Sequence, residues 1–350
     1  MHVLIVRLSS MGDLVHTLPA LTDAANVMSD IKFDWAVDET FADVPAWHRN
    51  IEEVIICPPR SLSGGLWKSF RKGTLQTFLR KLHHRRYDAV IDMQGEIKTA
   101  IVTWLSYGPR YGFHGDSVHE WGGHFAYQKH FSVPQKHSID RMRDLMAQAL
   151  GYECPSSEPD YGIDRSKLPT VDLKLPTPYA LFIHSTSWES KCWPEFRWIE
   201  LASKVLGMGF NLVLPWGNPQ ERERSERIAQ GQRNAIVLPD LSISEKASII
   251  SRASFTVGSD TGLSHIAAAL DIPSVTLYGA TDPALIGAKG KHQVHIASGF
   301  ECVKCHAAKC TYPKASEFKP ACFVEITVDR VWERVESLLG TYNLKSKISI

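Results

Sequence analysis

The sequence predicts an α/β protein with two parallel-sheet domains, and three observations support this prediction. Short β-rich runs alternate with helical patterns over residues 1–150, which is typical of parallel strands covered by helices on both faces. Residues 154–178 then carry five prolines and little periodicity, as an interdomain linker would. A second alternating series starts at Tyr179. A chain of 350 residues is also too long for one ordinary core.

The first domain is assigned to residues 1–155. Its strands are predicted at 3–8, 33–37, 54–57 and 89–93, which are short runs rich in apolar residues. Its helices are predicted at 14–25, 75–82 and 141–150, where apolar residues recur at helical spacing. A polar loop, 9–13, joins the first strand to the first helix.

Residues 156–178 are assigned to the linker, 179–325 to the second domain and 326–350 to a C-terminal segment. Second-domain strands are predicted at 179–184, 211–214, 235–238, 255–258 and 274–278. Helices are predicted at 198–206, 219–229, 244–251 and 263–270, with a last helix at about 329–339. Each half is thus predicted to be Rossmann-like, with ligands at the C-terminal ends of its strands and in a cleft between the halves.

The composition is that of an ordinary globular protein. Hydrophobic residues make up 44% of the chain, charged residues 22%, and the net charge is +1, so no global charge attracts nucleic acid. No apolar run approaches the roughly 20 residues that span a bilayer, and the start of the chain does not resemble a secretion signal. Seven cysteines, an odd number, fit reduced thiols. We therefore expect a cytoplasmic protein without a nucleic-acid partner.

The first loop offers a carboxylate in place of a glycine fingerprint. No G-x-G-x-x-G follows Leu8, and no G-x-x-x-x-G-K-[ST] occurs, which weakens dinucleotide and P-loop hypotheses. The loop instead contains Ser9, Ser10, Gly12 and Asp13. Asp13 has two interpretations: an N-cap of the following helix, or a general base at the C-terminal end of the first strand.

A second candidate site is the run S-D-T-G-L-S-H at residues 259–265, which follows an apolar strand and opens a helix. The amides and dipole of a helix N-terminus favour an anion such as a diphosphate, and small residues let it approach the backbone. The candidate contacts are Asp260, Thr261, Gly262, Leu263 and His265. His265 has the alternative interpretation of a hydrogen-bonded core histidine.

Two further loops in the second half leave strands at equivalent positions. The hydroxyls of Thr186 and Ser187, together with Lys191, suit phosphate oxygens, although a lone lysine is by default a solvated surface residue. Glu221 follows Pro215-Trp216-Gly217. Its carboxylate either holds ribose hydroxyls or is an ordinary acid in the first turn of a helix.

A basic stretch without acidic residues lies between residues 58 and 86. Its members are Arg60, Lys68, Arg71, Lys72, Arg80, Lys81, Arg85 and Arg86. One interpretation is a solvated helix face, and the other is a surface for an anionic acceptor or an anionic membrane. Nucleic acid is disfavoured because no recognised binding module accompanies the stretch.

Four of the cysteines cluster near the C-terminus, at Cys302, Cys305, Cys310 and Cys322. Their spacing, C-x2-C-x4-C-x11-C, contains one half of a metal-binding pattern. The alternatives are a structural zinc site and a reduced, loop-forming segment. The chemistry predicted at the other loops needs no metal.

Several stretches together resemble the ADP-heptose:lipopolysaccharide heptosyltransferase family, glycosyltransferase family 9, and within it the members that add the first heptose. The matching stretches are LIVRLSSMGD at 4–13, DMQG at 92–95 with Lys98, HSIDRMR at 137–143, KCWP at 191–194, LPWG at 214–217, DTGLSH at 260–265 and YGATDP at 278–283. They occur in order and together are highly specific.

The resemblance implies a GT-B fold, two facing Rossmann-like domains with the C-terminal helix crossing back onto the first. It implies inverting, metal-independent transfer of L-glycero-D-manno-heptose from ADP-heptose to the Kdo of Kdo2-lipid A in the lipopolysaccharide inner core. The enzyme would then associate peripherally with the cytoplasmic face of the inner membrane.

The resemblance also implies roles for individual residues. Asp13 is the base, and Lys191 stabilises the leaving diphosphate. The donor-site residues are Thr186, Ser187, Lys191, Glu221, Leu241 near adenine, Asp260, Thr261, Gly262, Leu263 and His265. The acceptor-side residues are Ser10, Gly12, Arg60, Lys98, Arg141 and Arg143. The cysteine run resembles the members that add the second heptose, so an already heptosylated acceptor is the alternative. From other classes, a non-catalytic lipid A or nucleotide-binding protein and a nucleotide-binding reductase remain as rivals.

Overall fold

The computed structural model describes residues 1–58, 74–118, 120, 122–134 and 136–341. The chain divides into two compact units, Met1–Lys167 and Leu168–Ile350. The division falls inside the proline-rich stretch that the sequence assigns to a linker. Within the ranges given above, no helix is both long and apolar enough to cross a bilayer.

The first unit is centred on six parallel strands. They are β1 (His2–Val6), β2 (Lys32–Asp38), β3 (Ile51–Cys57), β4 (Ala89–Asp92), β5 (Arg110–Phe113) and β6 (Lys129–Phe131). Their order in the sheet is β3-β2-β1-β4-β5-β6. Val3 to Val6 of β1 are fully buried because helices cover both faces of a parallel sheet. The four predicted strands are confirmed, whereas β5 and β6 were not predicted because they are short and contain polar residues.

Helices of the first unit are α1 (Met11–Val27), α2 (Asp43–Ala46), α3 (Thr74–Leu82), α4 (Ile97–Leu105) and α5 (Ser138–Leu150). Helices α1 and α5 pack against each other. Helices α3 and α4 share one core cluster with the sheet, in which Phe78 and Leu82 meet Val102 and Val90. The loop after β1 leads into α1, and the loop after β4 leads into α4. Each of these two loops is therefore attached to one of the two packed helix pairs.

The second unit is also centred on six parallel strands. They are β7 (Tyr179–Ile183), β8 (Asn211–Leu214), β9 (Ala235–Val237), β10 (Phe255–Ser259), β11 (Ser274–Tyr278) and β12 (Gln293–Ala297). The sheet order is β12-β11-β10-β7-β8-β9. The helices are α6 (Glu195–Gly207), α7 (Pro219–Ala229), α8 (Ile243–Ile250), α9 (Gly262–Ala269), α10 (Pro283–Ile286) and α11 (Val328–Thr341). All five predicted strands are confirmed, and β12 is additional.

The two units share one topology. In each sheet the unit's first strand lies beside its fourth, with the second and third strands on one side and the fifth and sixth on the other. The strand order therefore reverses between β1 and β4, and again between β7 and β10. Ligands of such sheets bind outside the carboxyl ends of the strands at this reversal. The fold thus singles out the loops after β1, β4, β7 and β10.

The C-terminal helix α11 packs within the second unit, against α6 and β11. Its buried residues Val331, Val335 and Leu338 join the core around Trp198. The predicted return of segment 326–350 to the first domain stays a prediction, and residues 342–350 lie outside the described part of the chain.

Candidate active site

The loops after β7 and β10 converge on the buried carboxylate of Asp260. Its Oδ2 lies 2.8 Å from Lys191 Nζ, and its Oδ1 lies 3.3 Å from His265 Nε2. Thr281 Oγ1 donates a hydrogen bond of 2.7 Å to Oδ2. Burial alone would raise the pKa of Asp260, but the bond to His265 and the charge of Lys191 hold that pKa well below its usual value. A fixed anion here orients one lysine and one histidine.

Helix α9 begins beside this carboxylate. Its N-cap Thr261 makes no side-chain capping bond, and Gly262 and Leu263 occupy the first helical positions. The first backbone N–H groups of a helix have no partner inside the helix, and its dipole places partial positive charge there. The predicted residues 260–263 and His265 therefore lie together around a helix N-terminus, where the backbone would favour an anion.

Lys191 ends a short 3-10 helix, Glu189–Lys191, in the loop after β7. Its ammonium lies 4.6 Å from the centre of the Trp188 ring, which orients the side chain from a second direction. Ser190 fixes the turn because its amide donates to the carbonyl of Ala308 at 3.1 Å. The nearby Thr186 is half-buried and Ser187 is exposed.

Glu221 lies in the first turn of α7, the helix that follows β8. Its Oε2 accepts a 2.7 Å hydrogen bond from the amide of Gly217, and its own amide donates to the N-cap Asn218. This geometry confirms that Glu221 is an acidic residue in the first turn of a helix. The predicted contact with ribose stays a prediction. Leu241, the predicted adenine neighbour, is half-buried.

Asp13 stands at the N-terminus of α1, in the loop after β1. Its Oδ2 accepts hydrogen bonds from the Ser10 amide at 3.2 Å and the Ser10 hydroxyl at 2.7 Å. The predicted N-cap assignment is wrong in detail, because Ser10 is the N-cap and Asp13 is the acid at the third helical position of a capping box. Its Oδ1 lies 3.1 Å from Arg7 Nη2. The side chain is still 38% exposed. A carboxylate that caps a helix is here also accessible to a ligand.

Arg7 is a site residue that the sequence analysis missed. Its guanidinium is buried and donates to the carbonyl of Met93, in addition to its ion pair with Asp13. Burying an arginine costs free energy unless the guanidinium is paired and hydrogen-bonded. An arginine at the end of an apolar strand was therefore the signal in the sequence that could have identified Arg7. Arg7 places its guanidinium directly against the Asp13 carboxylate.

The loop after β4 contacts the Asp13 loop. Gln94 Oε1 accepts from the amides of Leu8 at 2.8 Å and Ser9 at 3.3 Å. Lys98 Nζ lies 3.5 Å from Ser9 Oγ and 2.5 Å from Glu96 Oε2. The predicted Lys98 is therefore brought beside the loop that carries Ser10, Gly12 and Asp13.

The predicted acceptor arginines have different surroundings. Arg141 Nη2 donates to the carbonyl of Ser117 at 2.8 Å, and burial together with nearby Arg7 lowers its pKa. Arg143 is buried in a two-bond ion pair with Asp23, with Nε–Oδ2 at 2.6 Å. That pair accounts for Arg143 without an acceptor. Arg60 lies outside the described residues.

The four predicted cysteine ligands, Cys302, Cys305, Cys310 and Cys322, line one cavity of about 130 Å³. Burial, and then the neighbouring thiols, raise the pKa of Cys322 to about 12. Among the described residues, the group whose ligand atoms all lie within 4.8 Å is Asp34, Glu53 and His84 in the first unit. The zinc alternative for the cysteines stays a prediction.

Comparisons with known proteins decide the family. The pattern of Glycosyltransferase family 9 (heptosyltransferase) matches residues 75–316. Lipopolysaccharide heptosyltransferase 1 of Pseudomonas aeruginosa is 42% identical over 350 residues, covering 97% of this chain and 98% of the relative. The chain belongs to glycosyltransferase family 9, the heptosyltransferases. It is therefore a glycosyltransferase of lipopolysaccharide inner-core assembly.

Solved family 9 structures support the same assignment. The chain superimposes on the E. coli heptosyltransferase WaaC with ADP with a TM-score of 0.84 and 38% identity, covering 97% of this chain and 100% of that one. Its two Rossmann-like units are those of the GT-B fold class. Lipopolysaccharide heptosyltransferase 2 of E. coli K12 is only 22% identical, over 97% of this chain and 99% of the relative. The predicted resemblance to first-heptose enzymes is confirmed.

Proposed function

We propose that this enzyme transfers L-glycero-D-manno-heptose from ADP-heptose to the Kdo of Kdo2-lipid A, with inversion at the anomeric carbon. The Lys191–Asp260–His265 cluster at the start of α9 is the observation that carries the proposal, because it combines a fixed cation with helix N-terminal amides. A solved relative, the E. coli heptosyltransferase WaaC with ADP-2-deoxy-2-fluoro heptose, is 37% identical to this chain and supports the choice of donor.

The second unit holds the donor in this proposal. Lys191 and the amides of α9 bind the diphosphate and stabilise the charge that develops as ADP leaves. Asp260 holds Lys191 in place through their ion pair, and Thr186 and Ser187 offer hydroxyls to phosphate oxygens. Glu221 holds ribose hydroxyls and Leu241 contacts adenine. His265 contacts the heptose or its phosphate. These groups supply the required positive charge without a metal ion.

The first unit supplies the base. The acceptor hydroxyl oxygen attacks the anomeric carbon, the bond from that carbon to the phosphate oxygen breaks, and the hydroxyl proton passes to Asp13. A carboxylate with an ordinary pKa near 4 is a weak base, so it suits a proton transfer that occurs late, after the new bond has made the hydroxyl acidic. The ion pair with Arg7 orients the Asp13 carboxylate for this role.

The acceptor carries carboxylates and phosphates, so cations should surround it. Lys98 and Arg141 lie close to the Asp13 loop in the first unit. Arg60 belongs to the acid-free basic stretch of the sequence. Ser10 and Gly12 line the loop itself. An acceptor of this kind is anchored in a membrane, so we propose that the enzyme works peripherally at the cytoplasmic face of the inner membrane.

The Asp13→Asn variant tests the base. Asparagine keeps an oxygen that accepts from Ser10, so we expect folding to be retained while kcat falls by at least about a hundredfold, because general-base catalysis contributes that much. Initial rates of ADP release measure the effect. Asp329→Asn, which changes another first-turn aspartate at the start of α11, is the matched control and should keep full activity. Unchanged kcat in Asp13→Asn would disprove the assignment.

The acceptor is tested by supplying purified enzyme with ADP-heptose and either Kdo2-lipid A or its heptosylated form. We expect transfer to Kdo2-lipid A, as the similarity to the heptosyltransferase 1 group indicates. Preferred transfer to the heptosylated form would instead support the second-heptose alternative. Binding of acceptor without any ADP release would contradict an enzymatic role.

A further inference from the structure

Helix α4 exposes an apolar face. Ile97, Ile101 and Trp104 are between 53% and 63% exposed, and their spacing of four and three residues places them on one side of the helix. The opposite side is buried at Thr99, Ala100, Val102 and Thr103. A surface helix normally directs its apolar residues to the core. Helix α4 departs from this pattern, because apolar residues lie on its exposed side as well as on its buried side.

Two aromatic residues extend this face. Tyr107 follows α4 and is 53% exposed, and Phe125 lies on the 3-10 helix Gly123–Ala126, which packs against α4, and is 72% exposed. Five of the nine large hydrophobic side chains exposed in the described part of the chain therefore fall between residues 97 and 125. We call these five residues, Ile97, Ile101, Trp104, Tyr107 and Phe125, the α4 face. Contiguous patches of this kind mark interaction sites.

Basic side chains border the α4 face. Arg86 and Arg110 line one cavity together with Tyr107. Helix α3 packs beside α4 through Phe78 and Val102, and its exposed Arg80 belongs to the acid-free stretch.

Nearby acidic groups already have partners. Glu96 pairs with Lys98, and the carboxylate of Glu120 accepts from the amide of Ile97. Exposed apolar and aromatic side chains with arginines beside Tyr107 match the interface of an anionic bilayer, where the aromatic rings enter the headgroup layer and the cations meet lipid phosphates.

The α4 face also begins next to the predicted acceptor residues. Lys98 directly follows Ile97, and its Nζ lies 3.5 Å from Ser9 Oγ in the loop that carries Asp13. A lipid acceptor must present its sugar to Asp13 while its acyl chains stay in the membrane. A bilayer seated against α4 meets both requirements.

We propose that the α4 face is the surface by which this enzyme docks on an anionic phospholipid bilayer. The proposal rests on the lipid-anchored acceptor of the proposed function. A second copy of the chain fits this surface less well, because a two-fold symmetric contact would bring the bordering arginines of both copies to the same patch. The bilayer offers the opposite charge.

Binding to vesicles tests the docking surface directly. The double variant Ile101→Gln/Trp104→Gln removes two exposed apolar groups and keeps helix-forming side chains, so its unfolding midpoint should match that of the wild type. With vesicles of phosphatidylcholine and phosphatidylglycerol, we expect its affinity in flotation assays to be at least about tenfold weaker. Phe196→Gln, which changes a 53% exposed aromatic in the second unit, is the matched control and should bind like the wild type.

Activity on two acceptor forms separates this proposal from the proposed function. We expect the double variant to lose about tenfold or more in kcat/KM with Kdo2-lipid A in vesicles and to stay within about twofold of wild type with a deacylated, water-soluble Kdo acceptor. Wild-type vesicle binding by the double variant, or an equal loss on both acceptors, would overturn the docking surface. Wild-type protein that transfers heptose to neither acceptor would overturn the proposed function instead.

Self-association is measured in parallel by analytical ultracentrifugation. A wild-type dimer that the double variant converts to a monomer, with vesicle binding unchanged, would show that the α4 face contacts a second copy and would overturn the bilayer proposal.

Discussion

At the scale of single residues, buried charge serves two different purposes in this molecule. Lys191 is 16% exposed and pairs with the buried Asp260 at the N-terminus of α9. Arg143 is buried against Asp23 between α1 and α5, and it also donates to the carbonyl of Ser157. Both cations belong to stretches that resemble family motifs. We predict that Lys191 binds a ligand and that the Arg143–Asp23 pair contributes to the stability of the fold.

Arg143→Met tests this distinction. Removing one partner leaves Asp23 charged and buried, so we expect the free energy of unfolding to fall by about 3–5 kcal/mol. Urea denaturation measures the loss. Arg49→Met, which breaks the exposed pair with Asp160, is the control and should cost at most about 1 kcal/mol. If Arg143→Met instead keeps its stability and raises the KM for the acceptor, the predicted acceptor contact is correct.

At the scale of elements, local sequence accounts well for where helices begin and end. Helix α8 starts with a capping box between Ser242 and Glu245, and α7 has Asn218 as its N-cap with Pro219 at its first position. Helix α5 ends at Gly151, whose φ of 78° lies in the left-handed region. These signals are local, so the sequence places them to within a few residues.

Gly151→Ala tests the helix end. No atom lies within 4 Å of a Cβ built there, so the cost is backbone strain alone, and we expect a loss of about 1 kcal/mol in the free energy of unfolding. Gly207→Ala at the end of α6 is the matched control, since Gly207 has equal space and no positive φ. It should be neutral or stabilise by about 0.5 kcal/mol. Equal effects of the two variants in thermal unfolding would refute the explanation.

At the scale of the whole molecule, each unit has its own core and its own share of the candidate site. The predicted donor-site residues, from Thr186 to His265, all lie in Leu168–Ile350, whereas the predicted base Asp13 and the predicted acceptor residue Lys98 lie in Met1–Lys167. The large core cluster around Trp198 draws only on the second unit. Donor binding is therefore expected to need the second unit alone, and catalysis to need both.

A fragment of residues 168–350 tests this division. We expect it to fold cooperatively and to bind ADP within about tenfold of the full-length affinity, with no transfer activity. Isothermal titration calorimetry gives the affinity, and Lys191→Ala in the fragment is the control that should weaken it by about 2 kcal/mol, the contribution of a charged hydrogen bond. A folded fragment that does not bind ADP would show that donor residues are missing from the second unit.

The sequence by itself determined the alternation of strands and helices, the linker region, the loops that carry the candidate site and the family. Those signals are short-range, because hydrophobic periodicity, turn residues and contiguous motifs are read within a few neighbouring positions. The capping box of Ser10 and Asp13 is an equally local signal, although the sequence analysis assigned Asp13 itself as the N-cap.

Only the tertiary structure decided which distant side chains meet. The strand order brings β1 beside β4 and β7 beside β10, and so creates the contacts of Arg7 with Met93 and of Lys191 with Asp260. It also showed that both units share one topology, which no repeat in the sequence reveals. The α4 face emerged in the same way, since the periodicity of an isolated helix does not show which apolar side the neighbouring elements cover. Pairing across long separations depends on crossovers and packing, which local patterns do not encode.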